Sequence, residues 1–357
     1  MKRGVSPGHR TRQRTEDQPA EGRPQRVPSR RLVAQVAGVS TTTVTNVLSN
    51  RSNVSTAIRA RVLAVAAQLG YEPHPAARAL ALNRYEKIAI VCSSLMNPFF
   101  GALFHELGQE LHLDGYKAIS LHAAWVDLDY LARIIRGHAD GIIVLDGTLP
   151  SDIVEAIQGK GIPLVAHGYE DDTAVPKVEP DFHQGVRAAV HHLADLGHTR
   201  IGYLSPKSPE TDLRRFREFR AAMEERGLTV DPALVTFHPE AGEDTPAVGY
   251  NAATELLKRG SPFSALFAYS DILAVGAATA LRDAGLEVPR DVSLVGWDDI
   301  PFAAFMNPPL TTVYTAVKET AQQLKRLLRQ RIEGEAVADV TKVATRLVLR
   351  RSTAPWR

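Results

Sequence analysis

Between Ser29 and Arg61 the chain carries a run of small hydrogen-bonding side chains, Ser40, Thr41, Thr42, Thr45 and Asn46, among Arg30, Arg31, Arg51, Arg59 and Arg61. Threonine donates to or accepts from base edges and can touch a thymine methyl, and asparagine pairs bidentately with adenine. Such a face could read a duplex while the arginines neutralise phosphates, which adds affinity without sequence choice. Asn53 belongs with the same DNA-facing set. A second group lies far along the chain, after successive apolar runs: Ser93, Ser94, Asn97, Phe99 and Phe100, then Asp146, His167, Arg215, Ser270, Trp297 and Asp298. Arginine, carboxylate and aromatic ring together trap a polyol, because charged groups fork onto hydroxyl pairs while a ring covers the apolar face of a sugar. The same trio suits a nucleobase or nucleoside.

Short helices must position the first group. Leu32, Val33, Val36 and Ala37 recur at helical spacing after Ser29, a capping residue, and Gly38 ends that helix. Ser40 caps a second helix with Val44, Val47 and Leu48 on its buried face; Ser55 caps a third carrying Ile58, Val62, Val65, Ala66 and Leu69. A glycine turn between two short helices, with alanine and valine where they cross, is the grammar of a helix-turn-helix. The charge distribution agrees. The net charge of the 357 residues is only +2, yet residues 1–84 hold 14 Lys and Arg against 4 Asp and Glu. One end suits a polyanion and the remainder does not. Residues 1–28, rich in Arg, Pro, Gly and Gln, cannot bury enough surface to offset their ordering entropy and read as a disordered basic arm.

The second group sits in an alternation of strand and helix. Ile88–Val91, Ala118–Leu121, Gly141–Leu145 and Pro163–Ala166 read as strands, with helices over about 100–114, 127–137 and 151–159 between and after them. The rhythm restarts with a helix at His183–Leu196, strands at Ile201–Leu204, Ala233–Phe237, Ala265–Ala268 and Ser293–Gly296, and helices over about 212–226, 246–259 and 271–284. A helix over about 316–333 and a final strand, Ala344–Leu349, close the chain. This predicts an α/β protein with two lobes of parallel sheet behind a three-helix headpiece. Loops at the carboxyl ends of parallel strands converge on ligands, which is where the second group falls.

An enzyme could share this architecture, but no P-loop, no GxGxxG after a strand and no HExxH is present, and the single GxSxG, Gly4-Val-Ser-Pro-Gly8, lies in the basic arm. His191 and His192 are helical neighbours that point to different sides, so they cannot easily share a metal. No cofactor, metal or catalytic group is expected. No run approaches the roughly 18 apolar residues of a membrane helix. Cys92 cannot form an internal disulfide, and the polar start lacks an apolar signal region, so the chain is expected in the cytoplasm. The same features oppose a solute-binding protein for transport.

The segment Val33-Ala-Gln-Val-Ala-Gly-Val-Ser40, then Thr43-Val-Thr45, Val47-Leu-Ser-Asn50, Val54-Ser55, Arg61-Val62 and Leu69-Gly-Tyr-Glu-Pro73, resembles the headpiece of the lactose-repressor (LacI/GalR) family of bacterial regulators. Asn97-Pro-Phe-Phe100, Asp140-Gly-Ile-Ile143, Leu196-Gly-His-Thr-Arg-Ile201, Arg215 with Phe219, Val288–Asp299 and Pro308-Pro-Leu-Thr-Thr312 extend the resemblance over about residues 29–353. It implies a periplasmic-binding-protein-like sensor domain with an effector between its lobes, and a homodimer on a pseudo-palindromic operator. It also implies a hinge helix in which Ala76, Ala77, Arg78 and Leu80 approach the minor groove, Leu80 acting as an apolar wedge. The expected division is an arm at 1–28, a helix-turn-helix domain at 29–71, a hinge at 72–85 and a sensor and dimerisation domain at 86–357. Departures from the family pattern occur at Leu32, Pro75, Glu218, Ser270 and Asn46, where asparagine favours adenine and the usual arginine would favour guanine. The effector is a sugar or, alternatively, a purine or nucleoside. Induction and corepression both remain open.

Overall fold

The computed structural model describes residues 29–48, 54–71, 84–93, 95–123, 139–145, 149–168, 175–208, 213–238 and 244–356. The basic arm, Arg51, Asn53, the hinge residues Ala76, Ala77, Arg78 and Leu80, Ser94, Asp146 and the helix expected over 127–137 lie outside them. The chain forms two compact units, residues 1–82 and 83–357.

In the first unit, α1 (Arg30–Ala37), α2 (Thr41–Leu48) and α3 (Thr56–Gln68) enclose one small core of Val33, Ala34, Ala37, Val44, Val47, Val62 and Ala66. The serine caps are in place: the Ser29, Ser40 and Ser55 hydroxyls accept from the amides of Leu32, Thr43 and Ile58. Gly38 turns the chain at φ 62°, a left-handed conformation that costs glycine nothing. The buried face of α1 differs from the expected one. Leu32 and Val36 are exposed, and Ala34 is buried in their place. Small side chains at the crossing let the helices approach closely, so alanine rather than leucine occupies the contact.

In the second unit, β1 (Lys87–Cys92), α4 (Pro98–Leu113), β2 (Lys117–His122), β3 (Gly141–Val144), α5 (Ser151–Gly159), β4 (Leu164–His167) and β5 (Lys177–Pro180) build the first lobe. The second contains α6 (Phe182–Asp195), β6 (Ile201–Ser205), α7 (Leu213–Glu225), β7 (Val235–Phe237), α8 (Pro246–Arg259), β8 (Ala265–Ala268), α9 (Asp271–Asp283), β9 (Ser293–Asp298) and β10 (Thr311–Tyr314). The chain then returns to the first lobe through α10 (Val317–Ile332), which packs on α4 and on β3, β4 and β5.

The final strand is two strands. β11 (Val340–Val343) pairs with β5 in the first sheet, and β12 (Arg346–Val348) pairs with β10 in the second. The sheet orders are β11-β5-β4-β3-β1-β2 and β12-β10-β9-β8-β6-β7. All pairings are parallel except β12 with β10, which departs from the purely parallel expectation. The chain thus passes between lobes three times, after β5, after β10 and after β11. In each sheet the strand order reverses beside the lobe's first strand, between β1 and β3 and between β6 and β8, and at such a switch point diverging loops leave a crevice.

Candidate functional site

The carboxyl ends of the strands bring side chains from both lobes together. Asn97 caps α4 by accepting from the Phe99 amide (3.0 Å), and its amide nitrogen crosses to the second lobe to donate to Asp244 Oδ2 (2.9 Å). Ser270 caps α9 and donates to the other oxygen of Asp244 (2.8 Å). The Arg215 guanidinium lies 3.8 Å from the Tyr269 ring centroid, 4.5 Å from Trp297 and 5.3 Å from Phe182, and donates to the Tyr269 carbonyl. Lys207 sits over the other part of this cluster, 5.6 Å from the Tyr269 centroid. Three rings and a carbonyl fix one cation opposite buried acids.

Those acids are perturbed. Burial raises Asp298 well above the carboxylate range; Arg215 opposes the shift, and Asp271 and Asp244 add to it. Burial also raises Asp244 to about 6, against the hydrogen bond from Ser270 and the charge of Arg215. His167, at the end of β4, is pushed down to about 4 by burial and by the charges of Arg215 and Lys207. It is neutral at pH 7, and its Nδ1 is buried with no hydrogen-bond partner among the described residues.

The backbone that presents Asp298 is held from behind. Asp298 and Asp299 have φ of 111° and 55°, a costly region for residues with a Cβ. Asp271 accepts from the Ile300 amide (2.8 Å) and the Thr312 hydroxyl, and Arg350 pairs with Asp299 (2.7 Å).

Asn97, His167, Arg215, Ser270, Trp297 and Asp298 therefore meet in one place. Trp297 and Asp298 are the last residues of β9 rather than part of a following loop. Trp297 is 1% exposed, stacked on Phe182 at 5.6 Å, with Arg215 over its face. Phe99 is buried in the first-lobe core, 5.5 Å from the His167 ring; Phe100 packs edge-on against it and is half-buried, as is Ser93. Glu218 pairs with His183 on α6 and takes no part. Sequence reasoning missed Asp244, Tyr269, Lys207 and Asp271. The strand-end rule could have nominated Tyr269, immediately after β8, and Lys207, just after β6.

Asp244 and His167 give the unit opposed pH responses. Folded Asp244 keeps its proton up to about pH 6 while an unfolded aspartate has lost it near 3.8, so stability is gained as pH falls through 6. Folded His167 refuses a proton that an unfolded histidine takes near 6.5, so stability is lost as pH falls from 6.5 towards 4. Compared with wild type, His167→Asn is expected to gain melting temperature between pH 7.5 and pH 5, and Asp244→Asn to lose it. Melting curves at the two pH values check this; differences that do not change with pH would show that neither group titrates with folding.

On the headpiece, Thr41 and Thr42 are exposed, and Thr45 and Asn46 half-buried, on α2. The Ser40 hydroxyl is engaged with Thr43, both its amide and its hydroxyl. Arg31 and Arg61 are exposed, whereas Arg59 donates to the Val47 carbonyl (3.3 Å), supporting the end of α2.

Residues 32–74 match the model of the bacterial regulatory proteins of the lacI family, and residues 190–353 match the periplasmic binding protein-like domain. The repressor PurR of Haemophilus influenzae is 30% identical over 332 residues, covering 90% of this chain and 97% of PurR. The regulator GalR of Escherichia coli is 32% identical over 328 residues, covering 89% and 93%. The chain belongs to the lacI family.

Among solved structures, the complex of the transcriptional regulator CelR with cellobiose superposes with a TM-score of 0.68 at 28% identity, covering 91% of this chain and 99% of that one. This lacI-family chain is accordingly a DNA-binding transcriptional regulator with a helix-turn-helix headpiece and a periplasmic-binding-protein-like unit. Among the described residues no helix is long and apolar enough to cross a membrane.

Proposed function

We propose that this regulator is a cytoplasmic, homodimeric repressor that releases or grips its operator according to whether a neutral, hydroxyl-rich molecule of the sugar class fills the cleft between its sensor lobes. The observation that carries the reading is Arg215, held among Tyr269, Trp297 and Phe182 opposite Asp244 and Asp298. One fixed fork of donors facing acceptors suits vicinal hydroxyls.

Asn97, His167, Ser270, Asp298 and Arg215 contact the effector, with Ser93 at the edge. Trp297 acts through Arg215, because its ring face is already covered by the guanidinium. That coverage disfavours a purine, which needs a free ring to stack on, although relatives named PurR keep it as the second arm of the test. Residues 29–71 read the major groove, and Ala77, Arg78 and Leu80 enter the minor groove from the linker at 72–85. The protein acts by binding, without turnover.

Anisotropy titrations of full-length protein on operator duplexes, with cellobiose, ribose, hypoxanthine or guanine added, decide the matter. A symmetric footprint whose affinity a sugar changes at least about tenfold is expected, a coupling on the usual scale of 1–3 kcal/mol. A response to purines alone would replace the sugar reading, and the absence of any footprint would end the operator reading.

A further inference from the structure

Every charge on the headpiece surface could serve as a phosphate clamp, and composition alone gives Arg30 that part. Its geometry gives it another. Arg30 opens α1, and its Nη1 donates to the Thr45 hydroxyl on α2 at 2.8 Å. That hydroxyl in turn donates its single proton to the Thr41 carbonyl at 2.9 Å. The guanidinium is thus anchored on the helix that carries Thr41, Thr42, Thr45 and Asn46. Among the described residues of this unit no carboxylate competes for it, since residues 29–71 contain no Asp or Glu, and α2 itself has no charged residue.

We propose that Arg30 is a base-reading residue of the headpiece that selects guanine, lending the uncharged recognition helix a guanidinium from the neighbouring helix. The proposal rests on the operator-binding reading. A hydroxyl has one donor and two acceptor sites, so Thr45 has no proton left for a base; it offers a methyl group and one lone pair. Arg30 has five N–H groups, of which the bond to Thr45 uses one, and two of the remaining donors match O6 and N7 of guanine. The arrangement replaces what Asn46 cannot do, because an amide pairs with adenine. Thr45 acts as a positioning residue that restrains the guanidinium before DNA arrives.

The experiment is selection of full-length protein on randomised duplexes, for wild type, Arg30→Ala and Thr45→Val, followed by salt titrations on the selected site. Circular dichroism confirms that each headpiece is helical. Wild type is expected to select guanine at one symmetric position in each half-site. Arg30→Ala is expected to lose about tenfold or more of discrimination at that position alone, the scale of a bidentate base contact, while the other positions are kept. Thr45→Val is expected to blur the same position. A uniform loss over all sequences with a salt slope smaller by about one in Arg30→Ala overturns the proposal. If wild type selects no sequence, the operator reading falls first and independently of Arg30.

Discussion

Replacing Arg215 by methionine is expected to lower effector affinity by about 100-fold or more while leaving the affinity of ligand-free protein for its operator unchanged. Truncating one member of a buried, hydrogen-bonded charge set costs roughly 2–5 kcal/mol at a binding site, because the partners left behind are desolvated and unpaired. Here the partners are Asp298 and Asp244, both raised by burial and both held down in part by Arg215. Without the guanidinium the cleft loses its donor fork, and burial raises both carboxyls further.

Arg215→Lys should rescue little. An ammonium cannot lie flat against Tyr269 and Trp297, so the charge would return without its position. Operator affinity is spared because the headpiece closes its own core around Val33, Val44 and Val62. Calorimetry with the effector found by titration, beside anisotropy on the operator, separates the two quantities. Wild-type effector affinity in Arg215→Met would remove this residue from the site, and a parallel loss of operator affinity would make it structural.

What was legible in the sequence divides along physical lines. Ser29, Ser40 and Ser55 announced their helices because a capping hydroxyl is a local device, complete within three residues. Apolar runs such as Ile88–Val91 and Ala265–Ala268 announced their strands because burial on both faces demands such runs. β5 and β10 were not legible. Lys177-Val-Glu-Pro180 and Thr311-Thr-Val-Tyr314 look like loops, yet Lys177, Glu179, Thr311 and Thr312 are buried. Their polar atoms are answered from elsewhere in the chain, Glu179 by Arg214 and Thr312 by Asp271, and no local pattern encodes those partners. The same holds at the site. The strand-end rule found the residues that follow strands, but Asp244 earns its place through Asn97, 147 positions away, and Ser270. Trp297 was legible as an aromatic at the site; that Arg215 would cover its ring depended on α7 packing against α6, far from β9 in sequence.

The largest effect on stability is expected from a single methyl group at Gly276. Helices α8 and α9 meet at Gly249 and Gly276. A Cβ on Gly276 would lie 1.8 Å from the Pro246 carbonyl oxygen and 2.6 Å from the Tyr250 nitrogen, and one on Gly249 would lie 2.0 Å from the Leu273 carbonyl oxygen. All these atoms are backbone, so no side chain can rotate out of the way. The helices themselves must separate, which opens the packing of Ala252, Ala253, Leu273, Ala274 and Ala277 beneath them. Overpacking ordinarily costs about 1–3 kcal/mol, and a collision with rigid backbone belongs at or above the top of that range. Gly276→Ala is therefore expected to destabilise the second lobe by about 3 kcal/mol or more. It should also weaken effector binding, because α8 and α9 begin beside Asp244 and Ser270, whose bond depends on their spacing. Gly108→Ala supplies the contrast: it lies inside α4 with nothing within 4 Å of the added carbon, so the alanine should stabilise by roughly 0.5–1 kcal/mol through helix propensity alone. Thermal and denaturant unfolding of both variants gives the comparison, and a Gly276→Ala protein that melts with wild type would mean that the two helices do not approach as closely as their glycines allow.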